Sequence, residues 1–153
     1  MDDPWNVAHE RLKEWMHKEI SIMREILANM LQEELSIQLN DLGSLDQVMC
    51  ERSSMVERLS TLRSARLQAT KNLEELAASR GQERVPPFDD ASNCEILLLS
   101  EQIMALTEKM NDQNCRNNLL THQMKHMPPL MEKTKRSLPH TCVKVINKGY
   151  ESE

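Results

Sequence analysis

The sequence predicts an all-α protein in which three long amphipathic helices form a bundle. Among 153 residues there are only 3 glycines, and 3% are aromatic, whereas sheets need glycine for turns and aromatic or β-branched residues for strands. Apolar residues recur every seven positions along three long stretches, which is typical of helices that share a narrow seam. We therefore expect an antiparallel hairpin, or coiled coil, of two long helices with a third long helix packed on it.

The first helix is predicted from about residue 4 to 39. Asp2 or Asp3 supplies the N-cap, and Pro4 is tolerated in the first turn. Additional apolar residues widen its apolar face, so we expect this helix to contact more than one neighbour. Its main row, spaced by seven, consists of Met16, Met23, Met30 and Ile37.

The second helix is predicted from about residue 44 to 80. Gly43 would end the first helix and Ser44 would cap the second. Arg52 and Arg66 take the place of apolar residues in one of the two rows, and we expect their head groups to lie in water at the edge of the seam. The rows are Val48, Met55, Leu62, Ala69 and Leu76, and Leu45, Leu59 and Leu73.

A segment from Gly81 to Ala91 contains Pro86 and Pro87 and marks the next boundary. The third helix is predicted from about residue 92 to 127, where Pro128 and Pro129 end it. Residues 1–130 would then form the bundle, and residues 131–153 a flexible tail.

The third helix is the one around which we expect the other helices to pack. Its two rows are interrupted by a polar layer formed by Gln113 and Asn117, with Asn114 beside them. This layer has two interpretations: a buried polar pair that fixes helix alignment, or the point where the helix leaves its neighbours and meets a ligand. The rows are Ile96, Ile103, Met110, Asn117 and Met124, and Leu99, Leu106, Gln113, Leu120 and Met127.

Charge and hydropathy exclude two classes of partner. The formal net charge is -5 with acidic and basic residues interleaved. Apart from the short run Lys133, Lys135 and Arg136, which we interpret as part of a solvated tail, no basic face is available to neutralise nucleic-acid phosphates. No stretch reaches the ~18 apolar residues of a membrane span. The N-terminus is acidic and lacks an apolar leader, so we expect a cytoplasmic protein.

No constellation typical of an enzyme is present, and we expect neither cofactor nor bound metal. His122 and His126 are four residues apart, with Cys115 nearby as a third candidate ligand. Gln123 follows His122 where a zinc protease has Glu, and we favour exposed histidines. The chain lacks a glycine-rich phosphate loop. The acidic pairs are interpreted as solvated helix faces; they are Glu33–Glu34 and Glu74–Glu75.

One segment carries a family resemblance. Gln113-Asn114-Cys115-Arg116-Asn117-Asn118-Leu119-Leu120, in the last of three long helices, resembles the FlgN-type flagellar and type III export chaperones, as does the Glu-Arg and Leu spacing from Leu45 to Leu67. The resemblance covers roughly residues 12 to 127. The chain departs from the family in its 11 methionines, 4 cysteines and its Trp-bearing N-terminus, so its client would differ.

The resemblance implies a cytosolic chaperone that binds helical segments of secreted proteins, such as hook–filament junction proteins or other type III substrates. It would keep them soluble and hand them to the export apparatus, with export-gate or ATPase components as further partners, and exist as a monomer or weak homodimer. The alternative is a structural coiled-coil component or scaffold of a secretion apparatus.

In the family the last helix binds the client, and the corresponding helix here is the third. Its last apolar residues, from Leu119 onward, are expected to form the open end of a groove. The partner-binding residues that the resemblance implies are Ile103, Leu106, Met110, Asn114, Asn117, Leu119, Leu120, Met124 and Met127.

Overall fold

The structure, a computed structural model, describes residues 3–79 and 90–124, with side chains in the last stretch from Cys94 onward. Within these residues it contains three helices, α1 (Pro4–Leu39), α2 (Leu42–Ser79) and α3 (Asp90–Met124). The prediction of an all-α three-helix bundle is confirmed. Most of the predicted 81–91 boundary lies outside the described residues, since α3 already begins at Asp90. Positions 125–127 and the predicted tail, 131–153, also lie outside them.

The hairpin between α1 and α2 turns at Asn40, not at Gly43. Asn40 has φ 54° and ψ 39°, a left-handed conformation that asparagine tolerates better than most residues. The Asn40 N–H donates to Ile37 O at 3.2 Å and the Asp41 N–H to Ser36 O at 3.0 Å, which together form a Schellman motif.

The second helix begins at Leu42, so its predicted start at Ser44 with Gly43 as the helix stop is wrong. The Asp41 side chain accepts a hydrogen bond from the Ser44 N–H at 3.1 Å, which is the role that an N-cap residue performs. Gly43 therefore lies in the first turn of α2. At the other end of the hairpin, the side chain of Asp3 accepts from the Trp5 N–H at 3.2 Å, as the sequence predicts.

The central element is α1, since it packs against both other helices, whereas α2 and α3 approach each other far less. The expectation that the chain is arranged around the third helix is therefore wrong, and the expectation that the first helix contacts more than one neighbour is confirmed. The ion pairs between helices show how the helices run relative to one another. Glu19 and Glu33 of α1 bond to Arg63 and Arg52 of α2, so these helices are antiparallel.

The relation between α1 and α3 is parallel. Lys13 pairs with Glu95 near the start of both helices, and Glu34 pairs with Arg116 near the end of both. The ends of α1 and α3 consequently lie at the same end of the bundle, next to the turn that leads into α2.

The core follows the predicted rows. Met16, Met23, Met30 and Ile37 are at most 3% exposed, because apolar residues of α2 and α3 cover this side of α1. A smaller cluster forms at the end of the bundle near the turn. It consists of Ile37, Leu45 and Met49, packed against Leu120 and Met124. No helix in the described part of the chain is long and apolar enough to cross a membrane.

Candidate functional site

The predicted partner-binding strip on α3 faces the interior of the bundle along most of its length. Ile103, Leu106, Met110, Asn114 and Asn117 are all buried, because α1 packs on this side of α3. The expectation of an open groove is wrong for these five residues. A guest helix would reach them only if α3 left α1, so their assignment to partner binding stays a prediction.

The other four predicted residues differ among themselves. Leu120 and Met124 are half-buried and contact the small cluster at the end of the bundle, so they close the core rather than open a groove. Leu119 points outward and is 57% exposed. Met127 lies outside the described residues. Of the nine residues, Leu119 is the one in the described range that is available to a partner without a rearrangement.

A buried polar network joins all three helices at Glu33. Arg52 of α2 is fully buried; its Nη1 donates to Glu33 Oε2 at 2.8 Å and its Nε to Asn29 Oδ1 at 2.7 Å. From α3, Asn117 Nδ2 donates to Met30 O at 2.8 Å and to Glu33 Oε1. The buried carboxylate and guanidinium thus have specific partners, which burial of charge requires.

The Gln113–Asn117 layer belongs to this network. Gln113 Nε2 donates to Asn117 Oδ1 at 2.9 Å and to Glu34 Oε2 at 2.8 Å, and Arg116 also bonds to Glu34. Of the two interpretations of this layer, the structure therefore agrees with a polar layer that aligns α3 on α1. Replacing these groups by apolar ones would let α3 slide along α1 at lower cost.

A second buried ion pair holds α2 on α1 at a position about four helical turns further from the hairpin loop. Glu19 is completely buried, and its carboxylate accepts from Arg63 Nε at 3.1 Å and from Arg66. The predictions that Arg52 keeps its head group in water, and that Glu33 is solvated, are wrong, because the two groups pair inside the seam. The Arg66 side chain is 18% exposed, so it lies at the edge of the seam as predicted, but its head group pairs with Glu19.

These buried charges could have been located from the sequence by pairing across the hairpin. When a chain folds back at Asn40, residues at similar distances before and after the turn face each other, which brings Glu19 towards Arg63 and Asn29 towards Arg52. Glu33 lies one helical turn after Asn29 on α1 and reaches the same arginine. Heptad counting missed the acids because charged residues are rarely buried unless they are paired.

Lys13 and Glu95 connect the first halves of α1 and α3. Lys13 Nζ donates to Glu95 Oε2 at 3.1 Å and also pairs with Glu10. The hydrogen bond to Glu10, with that to Glu95, raises the pKa of Lys13 although burial acts in the opposite direction. The hydrogen bond from Lys13, with a smaller contribution from His17, lowers the pKa of Glu95. Both shifts favour the charged pair.

Large apolar side chains also cover parts of the surface of α3. The 3.6-residue period puts Leu97, Met104 and Leu119 on one side of α3, roughly opposite the buried Met110. We call these three residues the outer α3 face. Along the described length of α2, Leu67 is the one large apolar side chain that exceeds half exposure. On the described part of α3, the large apolar side chains that are more than half exposed are Leu97, Leu98, Met104 and Leu119.

A second exposed set lies on the last turns of α1. Leu31, Leu35 and Leu39 are between 49% and 68% exposed, and their spacing of four residues places them in one row along the helix. We call these three residues the α1 leucine row. This row was not among the predicted sites, although its repeated spacing of four is visible in the sequence.

Groups suited to metal binding do not gather in the described part of the chain. No three His, Cys, Asp or Glu side chains converge there. His122 is exposed on the last turn of α3, and His126, with which it could share a metal, lies outside the described residues.

The groove between α1 and α2 is a second place where a ligand could be sought. Lys18, Glu25, Arg58 and hydroxyl side chains line it, and Arg58 and Glu25 are 3.9 Å apart as a surface ion pair. Its charges are interleaved in sign, so the groove favours neither an anion nor a cation.

No protein family model matches the chain, and no curated protein or solved structure was found to be similar to it. The likeness to FlgN-type chaperones consequently stays a prediction that rests on the residues quoted for it.

Proposed function

We propose that this chain is a cytosolic helix-binding chaperone that holds an amphipathic helical segment of a secreted client on the outer α3 face. The observation that carries the proposal is the exposure of Leu97, Met104 and Leu119 on a helix whose opposite side is already packed against α1. A helix that is apolar on two sides has more apolar surface than the bundle itself covers.

A comparison with α2 shows that large exposed apolar side chains are concentrated on α3. Both helices pack on α1, and both have similar lengths, yet α2 turns charged and polar residues outward almost throughout. A helix required only for the bundle would resemble α2. Large apolar side chains that the bundle leaves exposed on one side of a helix are typical of sites that bind another protein.

The length and chemistry of the outer α3 face suit a helix. From Leu97 to Leu119 the face extends about 33 Å, at ~1.5 Å rise per residue. Met104 is the most exposed of its residues at 69%, and methionine adapts its shape to different partners. Glu101 and Glu108 are exposed on the same side. The client that fits is therefore an amphipathic helix with an apolar stripe flanked by Lys or Arg.

The resemblance to FlgN-type chaperones supports the same helix by a different route. That family binds its clients through the last helix, and α3 is the corresponding helix here. The proposed site differs from the sequence-based expectation in the side of α3 that it uses. The client contacts the outward residues instead of the residues buried against α1. Leu119 belongs to both the predicted set and the outer α3 face.

A binding measurement with a defined probe tests the proposal. A fluorescent peptide of the C-terminal helical segment of a hook–filament junction protein is titrated with the full chain, followed by fluorescence anisotropy. We expect the Met104→Asp/Leu119→Asp variant to bind at least tenfold more weakly, a loss of about 1.4 kcal/mol. Both positions are exposed, so the bundle should remain folded.

Leu67→Asp is the matched control, because it places the same charge at a comparably exposed leucine on α2. It should leave the affinity for the peptide unchanged. Equal affinities of the double variant and the original chain would contradict the proposed site, and failure of the original chain to bind the peptide would contradict the proposed class of client.

A further inference from the structure

The α1 leucine row leaves apolar surface uncovered where α1 turns into α2, a region that we call the turn end of the bundle. Leu35 is 51% exposed and Leu39 68% exposed. Leu42, at the start of α2, is 36% exposed beside them. Within the described residues, neither α2 nor α3 covers this part of α1. The surface lies on a different helix from the outer α3 face, to which the client is assigned.

The turn end of the bundle is also acidic. No lysine or arginine occurs between Arg24 and Arg52, a stretch that contains six acids. Asp41 caps α2 with its side chain, which leaves its negative charge in place. A surface with charge of one sign attracts a segment of the opposite sign. The exposed acids on either side of the turn and along the start of α2 are Asp41, Asp46 and Glu51.

The described part of α3 ends beside this surface. Because α1 and α3 are parallel and Glu34 pairs with Arg116, Met124 lies level with Leu42 along the bundle. Leu120 and Met124 accordingly pack on the small cluster next to the turn. The chain that follows Met124 therefore starts about one interhelical distance, ~10 Å, from the α1 leucine row.

Residues 125–148 have a composition complementary to the turn end of the bundle. They include six Lys or Arg residues and a single acid, Glu132. Leu130 follows Met124 by six residues, which can span up to about 20 Å, whereas the row from Leu31 to Leu39 is about 12 Å long. The large apolar residues that follow the two prolines of this stretch are Leu130, Met131, Leu138, Val143, Val145 and Ile146.

We propose that residues 130–146 fold back onto the turn end of the bundle and cover the α1 leucine row. The apolar residues of the segment contact the leucines, and its Lys and Arg residues lie over the acids of the turn. The segment has an advantage over any separate molecule, because its attachment to α3 keeps it at a roughly millimolar local concentration. The proposal replaces the flexible tail that the sequence predicts by an intramolecular contact, which added salt should weaken.

A spin label on Cys142 of the full chain tests the proposal. The other cysteines are replaced by serine, which the bundle should tolerate because all three are exposed. A nitroxide then reacts at Cys142 alone, and methyl NMR measures which side chains it broadens. The replaced cysteines are Cys50, Cys94 and Cys115.

The expected result is selective broadening at the turn end of the bundle. The methyl signals of Leu35 and Leu39 should broaden several-fold more than those of Leu67 on α2 and Met104 on α3. These four side chains are all more than half exposed, so a label that moves freely over the surface would affect them alike.

A charge reversal within the segment tests the attraction to the acidic turn. Lys133→Glu/Lys135→Glu/Arg136→Glu should reduce the broadening of Leu39 several-fold. The three positions lie outside the described helices, so the variant should keep the bundle folded. Lys71→Glu, at an exposed position on α2, is the control and should leave the broadening unchanged.

A change in the row tests the apolar part of the contact. Leu31→Asp/Leu35→Asp should also reduce the broadening of Leu39 several-fold, whereas Leu67→Asp, at a comparably exposed leucine, should not. Circular dichroism checks that both variants keep their helices.

Three results would overturn the proposal. One is equal broadening of Leu39, Leu67 and Met104, since the segment would then have no preferred position. The second is stronger broadening of Met104 and Leu119, which would place the segment on the outer α3 face. The third is broadening that appears only when the label and the observed methyl groups are on different copies, which would make a second chain the occupant. The Met104→Asp/Leu119→Asp variant should keep the broadening of Leu39, so this test is independent of the client site.

Discussion

At the scale of single residues, the most consequential side chain is Glu33. It accepts hydrogen bonds from Arg52 of α2 and from Asn117 of α3, so one carboxylate holds both outer helices at fixed positions along α1. Such a pair is not strong evidence of added stability, because removing two charges from water is costly. Its clearest effect is on alignment, since any shift of a helix by one residue would separate the partners.

Replacing Arg52 by methionine should destabilise the bundle by about 3–5 kcal/mol, because the buried Glu33 carboxylate then loses its charged partner. Urea unfolding followed by circular dichroism measures the change. Arg58→Met is the matched control, as Arg58 is exposed and forms a surface pair with Glu25; it should cost less than about 1 kcal/mol. Similar losses in the two variants would contradict the structural role given to Arg52.

The Lys13–Glu95 pair should give a defined dependence of stability on pH. Glu95 has a lowered pKa in the folded chain, so its contribution is complete above its unfolded value of about 4.5 and is lost as the pH falls through the lower folded value. Lys13 has a raised pKa, so its contribution is complete below about pH 10.5 and is lost as the pH rises through the folded value.

The free energy of unfolding is measured for the original chain and for Glu95→Gln from acid to neutral pH. We expect the difference between them to be largest at neutral pH and to shrink below about pH 4.5. Glu108→Gln controls for the loss of an exposed charge on α3. A difference that stays constant into acid would show that Lys13 and Glu95 are not coupled.

At the scale of elements, α1 and α3 play roles that their sequences distinguish poorly. Both carry a heptad row, so counting rows favoured α3 as the centre of the fold. The buried side of α1 is wider, but part of it consists of Glu19, Asn29 and Glu33, which a hydropathy pattern assigns to the surface. The start of α1 agrees with the prediction, since Asp3 and Pro4 mark it, whereas the predicted stop of α3 at Pro128 lies outside the described residues. The start of α2 was missed, because Asn40 adopts the left-handed turn usually given to glycine.

The attachment of α3 to α1 depends on the polar layer at Asn117. Asn117→Asp would place a carboxylate beside Glu33 and remove the donor that bonds to it and to Met30 O, at a cost of at least about 2 kcal/mol. Amide hydrogen exchange should then become faster in α3 than in α1 and α2. The control variant is Asn118→Asp, which changes an exposed neighbour of Asn117. Its amide hydrogens should exchange at the same rates as those of the original chain. Uniform acceleration in all three helices would mean that α3 is not a separately released unit.

At the scale of the whole molecule, two sets of surfaces have separate roles. The inward sides of the helices hold the bundle together, while the outer α3 face is proposed to bind a client. The fold class was predictable, because apolar spacing and the scarcity of glycine and aromatic residues limit the alternatives. The proposed site lies on the helix that the sequence indicated but mostly on its other side. Periodicity identifies an apolar side without showing whether the chain's own helices already cover it.

Methionine methyl NMR gives the sharpest test of the client site, because exposed and buried methionines share α3. Met104 is 69% exposed on the outer α3 face, while Met110 and Met23 of α1 lie fully buried in the same core. When the hook–filament junction peptide is added, we expect the Met104 methyl signal to move and the Met110 and Met23 signals to stay in place. Large shifts of Met110 and Met23 with an unchanged Met104 signal would contradict the proposal, because the guest would then occupy the space between α1 and α3.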